Sequence, residues 1–201
     1  LVNDVKPYAV SMVDTYGLMD DEWLLHLYKI LDDNVIEGIQ IGFHAHNNFQ
    51  LGYSNALAFL KYDGRHDVVV DGTLFGMGKS AGNDPIELVA MTLNSRYGGN
   101  YNIDAMLESI NESVMDFYKK TPWGYTLFFY LCAKNKCHPN YLTDYEKEEN
   151  LSVSMIDTLL STIEPDDKKL LYDKTIGKKF YAKFVGAHSD HAESINEFLD
   201  F

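Results

Sequence analysis

Short, continuous apolar runs alternate with segments whose apolar positions recur every three or four residues through the first half of the chain. Ala9-Val10-Ser11-Met12-Val13-Asp14 is the first run and ends in an acid. The turn Thr15-Tyr16-Gly17 follows, and Asp20 then precedes Trp23, Leu24, Leu27, Ile30 and Leu31 at helical spacing. Ile36, Ile39, Ile41 and Phe43 predict a buried strand over 36–43. Leu51, Ala58 and Leu60 mark a helix over 51–62, and Asp67-Val68-Val69-Val70-Asp71 is a third strand that ends in an acid. After a glycine-rich loop, Asp84-Pro85-Ile86-Glu87 reads as a helix start, with Asp84 as cap, Pro85 at the first position and Glu87 completing a capping box. Ile86, Val89, Ala90 and Leu93 form one face of that helix. The order is β-α-β-α-β-α. Continuous apolar strands are buried on both faces, which implies a parallel sheet covered by helices.

From about residue 101 the pattern changes, and 102–118, 126–136, 141–148, 152–162 and 166–174 read as helices. Gly98-Gly99 marks the boundary, which separates an α/β domain, 1–98, from an all-helical carboxyl-terminal region, 99–201. The segment after Gly177, with His188 and His191, reads as a surface helix with a frayed end. Three parallel strands are only part of a sheet, and an eight-stranded α/β barrel needs about 250 residues. The chain opens on what reads as the end of a helix leading into a strand. The expectation is therefore the carboxyl-terminal part of a longer barrel, or an open three-strand unit. A bare edge beside the strand ending at Asp14 invites pairing, which predicts self-association or pairing with a separate amino-terminal chain.

Composition narrows the partners. The 201 residues are 46% hydrophobic and 13% aromatic, which argues against disorder. A net charge of −13 argues against nucleic acid and anionic membranes, since a phosphate backbone is bound by Lys and Arg. No apolar run approaches the length of a transmembrane helix, and Leu1-Val2-Asn3-Asp4-Val5-Lys6 has no apolar signal core. Cys132 and Cys137 fall on a helical stretch with their thiols on different sides, as reduced, structural thiols of a cytoplasmic protein.

The chemistry concentrates in Gly42-Phe43-His44-Ala45-His46-Asn47-Asn48. Alternation along a strand sends His44 and His46 to the same face, roughly 6.5 Å apart along the backbone. That spacing lets two imidazoles converge on one divalent ion. The alternative is two histidines at a strand end, each bonded to a neighbour. Two imidazoles and an oxygen ligand tolerate Mn2+, Mg2+, Co2+ or Zn2+, so the ligand set leaves the metal open, with Mn2+ or Mg2+ the first expectation, and positions remain for a chelating 2-oxo acid. Asn47 and Asn48 either orient the imidazoles or form the turn. Asp14 and Asp71 either meet an ion or substrate or hold loop amides, and the structural role is favoured for both. Lys79 could attract an anionic substrate. The glycine-rich loop has no acid about 20 residues on, so a dinucleotide is not expected.

These residues resemble a known superfamily. Gly42-Phe43-His44-Ala45-His46-Asn47-Asn48, Leu51-Gly52, Asn55, Val70-Asp71-Gly72-Thr73 and Gly76-Met77-Gly78-Lys79-Ser80-Ala81-Gly82-Asn83 are similar, with Val13-Asp14-Thr15-Tyr16-Gly17 upstream, to the metal-dependent aldolases and lyases. That group includes 4-hydroxy-2-oxovalerate aldolase, isopropylmalate synthase and hydroxymethylglutaryl-CoA lyase. The resemblance covers about residues 9–95 and implies a TIM barrel of which these are the last three strands. It implies His44, His46 and Asn83 as metal ligands, Thr15 as a group for the substrate carboxylate, and Tyr125 or Tyr130 as the tyrosine that follows the barrel near the active site. The activity implied is cleavage of a 4-hydroxy-2-oxo acid to pyruvate and an aldehyde through a metal-stabilised enolate. The alternatives are a Claisen-type acyl-CoA condensing synthase and a non-catalytic interaction fragment. The superfamily's amino-terminal Arg-Asp strand and its base have no counterpart in this sequence, which implies low activity for the chain alone. The loop carries Lys79 and Ser80 but no Cys, which argues against a thiol-dependent lyase.

Overall fold

A computed structural model describes residues 1–145, 151–164 and 171–198. The chain forms two compact units, Leu1–Phe129 and Tyr130–Phe201.

The first unit runs α1 (Val2–Val5), β1 (Ala9–Asp14), α2 (Asp21–Asn34), β2 (Gln40–Ala45), α3 (Gly52–Lys61), β3 (Val68–Asp71), a 3-10 turn (Leu74–Gly76) and α4 (Ile86–Tyr97). The strands form one parallel sheet in the order β1-β2-β3, the arrangement of a section of an α/β barrel. In register, Ser11 lies beside Gly42, Gly42 beside Val69, and His44 beside Asp71. Strand alternation then sorts the side chains. Met12, Ile41, Phe43 and Ala45 enter a core with Leu24 and Tyr28 of α2 and Phe59 of α3. Tyr28 meets Phe59 and Tyr62 edge-on at 5.1 and 4.8 Å, a favoured geometry for aromatic quadrupoles. The other face of the sheet carries Ser11, Val13, Gly42, His44, Val69 and Asp71, and Val13 is 51% exposed.

Local chemistry explains the boundaries. Asp20 accepts from the Trp23 amide at 2.8 Å and starts α2 as the sequence predicts. β2 begins at Gln40, not at Ile36. Asn3 holds the intervening segment, accepting from the Ile36 amide at 3.1 Å and donating to the Asn34 carbonyl at 2.9 Å. The capping box at 84–87 does not form. Pro85 is the N-cap of α4 and Asp84 makes no capping bond. The Thr73 amide donates to the Asp84 carbonyl and the Ile86 amide to the Thr73 carbonyl, both at 3.0 Å, which keeps residues 84–86 extended along Thr73. Glu87 instead accepts from the Phe75 amide at 3.0 Å.

The expected change to helix occurs where the sequence places it, but the first compact unit continues well past Gly98-Gly99. Asn102 caps α5 (Ile103–Ser109) by accepting from the Ala105 amide at 3.0 Å. A π turn (Ile110–Val114) and α6 (Met115–Lys120) continue the same run. Tyr118 of α6 and Trp123 pack on Phe75 of the 3-10 turn, which draws this helical run into the first unit.

The second unit takes in most of α7 (Leu127–Lys134), then α8 (Pro139–Tyr145), α9 (Val153–Ser161) and α10 (Lys174–Phe198). Leu131, Leu142, Ile156, Leu159 and Leu160 are buried within it. Cys132 and Cys137 are buried and not disulfide-bonded, and the Cys137 thiol donates to the Leu160 carbonyl at 3.4 Å. Lys134 pairs with Asp157 at 2.6 Å, and that ammonium holds the Asp157 carboxyl below its usual range. The Tyr145 hydroxyl donates to the Gly177 carbonyl at 3.1 Å and ties α8 to α10. Residues 146–148 and 166–170 of the expected helices lie outside the described residues. Leu171 to Asp173 are not helical, and Asp173 caps α10 through the Thr175 amide at 2.8 Å. Gly177, His188 and His191 fall within α10. Among the described residues, no helix is long and apolar enough to cross a membrane.

Asp84 yields a pH prediction. Its side chain is fully buried and neither carboxylate oxygen has a partner. Burial first, and the charge of Glu87 second, push its pKa up from 3.8 to about 7. The folded chain therefore keeps a proton on Asp84 over a range where the unfolded chain has lost it. Stability conferred in acid is lost as pH rises from about 4 to about 7, by at most ~4 kcal/mol. Asp84→Asn escapes this loss. Its melting temperature should match that of the native sequence in acid and rise above it progressively up to neutrality. A difference that does not vary with pH would contradict the assignment.

Candidate functional site

The carboxyl ends of β1 and β2 meet the loop after β3. Phe43 and Ala45 are held in the core, so His44 and His46 emerge from the opposite face. Their rings lie 5.1 Å apart between centroids with planes at 72°. His46 Nδ1 is 2.9 Å from the Asp14 carbonyl oxygen. A carbonyl only accepts, so Nδ1 carries a hydrogen, and in the neutral ring Nε2 keeps its lone pair. His44 Nδ1 lies 3.9 Å from Asp71 Oδ2, and the Ser11 hydroxyl donates to that same oxygen at 3.4 Å. Asn83 sits opposite His46 in an antiparallel bridge. Its Nδ2 donates to the Met77 carbonyl at 3.0 Å, which leaves Oδ1 as its ligating end.

Asp14 serves the turn with its side chain and His46 with its backbone. Its carboxylate accepts from the Leu18 and Met19 amides, both at 3.0 Å. Burial raises its pKa, while those amides and His46 oppose the rise. Gly17, at φ +61°, closes the turn against the next loop. A Cβ there would lie 2.5 Å from the Asn48 amide nitrogen and 2.8 Å from the His46 carbonyl oxygen. No described hydrogen bond joins Asn47 or Asn48 to an imidazole. Asn47 Oδ1 accepts from the Gly52 amide at 3.2 Å at the start of α3, and Asn48 Nδ2 donates to the Phe129 carbonyl at 3.4 Å.

The glycine-rich loop is tied to its surroundings at both ends. The Asn47 amide donates to the Gly82 carbonyl and the Asn83 amide to the Gly76 carbonyl, both at 3.0 Å. Phe75 adopts φ +55°, a costly conformation for a side-chain-bearing residue. Glu87 holds its amide and Trp123 Nε1 donates to its carbonyl at 2.8 Å. Phe75, Tyr118 and Trp123 pack edge to face beside a cleft of about 200 Å3 that Asn47 and Asn83 also line.

The structure thus places the His44 and His46 rings side by side and pairs Asn83 with His46 through the backbone. Thr15 is exposed at the end of β1, next to Asp14. Tyr125 is 52% exposed in the first unit, one residue after Gly124, whose amide donates to the Ser80 carbonyl at 3.3 Å. No described hydrogen bond or ring contact joins Tyr125 to the histidines. Tyr130 belongs to the second unit. Lys79 is exposed on the loop. The approach of Asp71 to His44 follows from strand register. The sequence implied that neighbourhood only through two apolar runs ending at similar depth. The packing of Tyr118 and Trp123 on Phe75 had no local signal, because Phe75 lies more than 40 residues before both in the chain.

Two neighbouring imidazoles, that of His46 with its Nδ1 bonded to a carbonyl, and an amide oxygen fit a divalent ion that keeps positions open. Among the described residues, no group of three His, Cys, Asp or Glu side chains is disposed to hold an ion.

Comparison with known proteins bears on these residues. The model of a family described as HMGL-like matches residues 1–114. A 4-hydroxy-2-oxovalerate aldolase of Chloroflexus aurantiacus is 39% identical over 96 residues, 48% of this chain and 26% of the relative. The Chloroflexus aggregans protein of the same name is 46% identical over a stretch of equal length and coverage. A 2-isopropylmalate synthase of Methylacidiphilum infernorum is 36% identical over 90 residues, 44% of this chain and 17% of the relative. The chain thus spans about a quarter of the length of the aldolases it matches. Among solved structures, the N-terminal domain of a protein assigned as an aldolase from Bacteroides vulgatus superposes with a TM-score of 0.64 at 25% identity, covering 74% of this chain and 47% of that one.

Gly17→Ala tests the packing of the two loops. It combines positive-φ strain with a collision against backbone, and it should destabilise the first unit by about 2–4 kcal/mol. Both tryptophans, Trp23 and Trp123, lie in that unit, so urea unfolding followed by tryptophan fluorescence reports on it. An unchanged midpoint would show that the loop absorbs the methyl group.

Proposed function

This chain belongs to the HMGL-like family, and on that premise we propose that it provides the ion-holding wall of an aldolase that cleaves a 4-hydroxy-2-oxo acid to pyruvate and an aldehyde. The observation that carries the reading is the bond from His46 Nδ1 to the Asp14 carbonyl at 2.9 Å, which turns Nε2 outward beside His44. His44, His46 and Asn83 would hold a divalent cation, Mn2+ or Mg2+ foremost. Such a cation supplies Lewis acidity toward the 2-oxo group of a bound acid.

The remaining roles belong to the chain's own groups. Cleavage breaks the C3–C4 bond, takes the proton of the 4-hydroxyl and returns a proton to C3. Thr15, exposed at the end of β1, donates its hydroxyl to the substrate carboxylate. A tyrosine phenol, Tyr125 or Tyr130, carries a proton for the reacting oxygen or carbon. The exposed face of the sheet, with Val13 half uncovered, suits further β/α units from a longer chain or a partner copy. Small 2-oxo acids, not nucleic acids or membranes, are the ligands of such a site, in a cytoplasmic setting that keeps Cys132 and Cys137 reduced. The likeness to a 2-isopropylmalate synthase supports a second reading, condensation of an acyl-CoA with a 2-oxo acid.

Calorimetric titration with MnCl2 tests the centre. The native sequence should bind about one ion per chain, and the His44→Ala, His46→Ala double variant none. Pyruvate release from 4-hydroxy-2-oxovalerate, coupled to lactate dehydrogenase, should be slow but lost in that variant. Thiol release from acetyl-CoA and a 2-oxo acid in place of cleavage would favour the condensing reading. Absence of both ion binding and pyruvate release would favour a non-catalytic interaction module.

A further inference from the structure

The two histidines are held by different kinds of partner. His46 leans on a backbone carbonyl, which no substitution removes. The described contacts of His44 are with side chains, the His46 ring at 5.1 Å and Asp71 at 3.9 Å across the β2–β3 pair. Asp71 is in turn reached by Ser11 from β1, two strands away, at 3.4 Å. Ser11 does not lie level with Asp71. Its register partner is Gly42, whose own partner on β3 is Val69. The Ser11 side chain must therefore cross above β2 at Gly42. A Cβ at Gly42 would collide with Ser11 Oγ and lie 3.1 Å from Ser11 Cβ. The line Ser11–Asp71–His44 thus exists because residue 42 has no side chain.

We propose that Asp71, steadied by Ser11 through the gap at Gly42, is a positioning residue that sets His44 with Nδ1–H toward the carboxylate and Nε2 toward the side it shares with His46. This rests on the reading of His44 and His46 as ion ligands. The 3.9 Å separation is longer than a hydrogen bond; once a side-chain movement closes it, the carboxylate, which only accepts, selects the Nδ1–H form of a neutral imidazole, whereas a free imidazole in water favours Nε2–H. Carboxylate–histidine pairs behind a metal set both the tautomer and the ring orientation, and losing the carboxylate typically weakens metal binding by about 10–100-fold. Here the Asp71 side chain is 45% exposed and that of His44 31%. Water competes for both groups, which places the expected loss at the lower end, about tenfold.

The decisive experiment reads the His44 tautomer in the metal-free full chain by long-range 1H–15N NMR, at a pH where the ring is neutral. The His44 signals are assigned by their loss in His44→Gln. The native sequence should show predominantly Nδ1–H at both His44 and His46. Asp71→Ala should move His44 to Nε2–H and leave His46 unchanged. Asp71→Asn, whose amide oxygen still accepts, should restore much of the native signal. Gly42→Ala should shift His44 in the direction of Asp71→Ala. Where Gly42→Ala does not fold, Ser11→Ala removes the hydroxyl without adding bulk and should give the same direction more weakly. In parallel, Asp71→Ala should bind MnCl2 about tenfold more weakly, with little dependence on added salt. An unchanged His44 tautomer in Asp71→Ala overturns the proposal. So does a loss of affinity that vanishes in high salt while the tautomer stays put, because Asp71 would then act only as a distant charge. If the native chain binds no Mn2+ but its His44 tautomer follows Asp71, the positioning line stands and the ion-ligand reading fails.

Discussion

The alternation of side chains along β2 is the constraint on which everything else depends. Phe43 and Ala45 are committed to the core by Tyr28 and Phe59, so residues 44 and 46 have only the other face to occupy. A strand that slips by one residue exchanges its faces completely. The large aromatic residues of α2 and α3 therefore guard the orientation of two imidazoles on the opposite face of the strand. Parallel pairing with β1 and β3 then supplies the neighbours: the Asp14 carbonyl on one side and the Asp71 carboxylate on the other. Core and candidate site are two faces of one register.

Much of this was legible in the sequence, for reasons visible in particular residues. Apolar runs such as Val68-Val69-Val70 have few ways to be satisfied other than as buried strands, and Asp20 before Trp23 is a cap wherever a helix follows. The histidine pair was legible because a period of two is enforced by strand geometry. Asp84 was not, because a cap motif names donors and acceptors but not the tertiary bonds that hold 84–86 along Thr73. The start of α8 at Pro139 and the non-helical residues 171–173 were not legible in the pattern either, since hydrophobic spacing carries little information about helix boundaries. The reach of the first unit beyond Gly98-Gly99 depends on aromatic contacts between distant segments, which leave no trace in local periodicity.

The loop after β3 shows how the fold meets the cost of placing Asn83. Phe75 occupies a left-handed conformation that glycine would adopt freely. The loop compensates with a carboxylate on its amide, an indole on its carbonyl and two rings against its side chain. Strain of this kind persists only where surrounding bonds over-determine it. Helices that follow the α/β section are, in this part of the molecule, the brace that makes the loop's shape affordable.

The π turn at Ile110–Val114 belongs to that brace. A π turn carries one more residue than the α-helical turn it replaces. Everything after it is rotated by about 100° relative to an uninterrupted helix. Tyr118 owes its place against Phe75 to that rotation as much as to its own chemistry. A face re-aimed in this way changes by insertion or deletion, not by substitution. Among descendants of a common ancestor, a gap of a single residue within this helix would mark a lineage whose loop is braced by different rings.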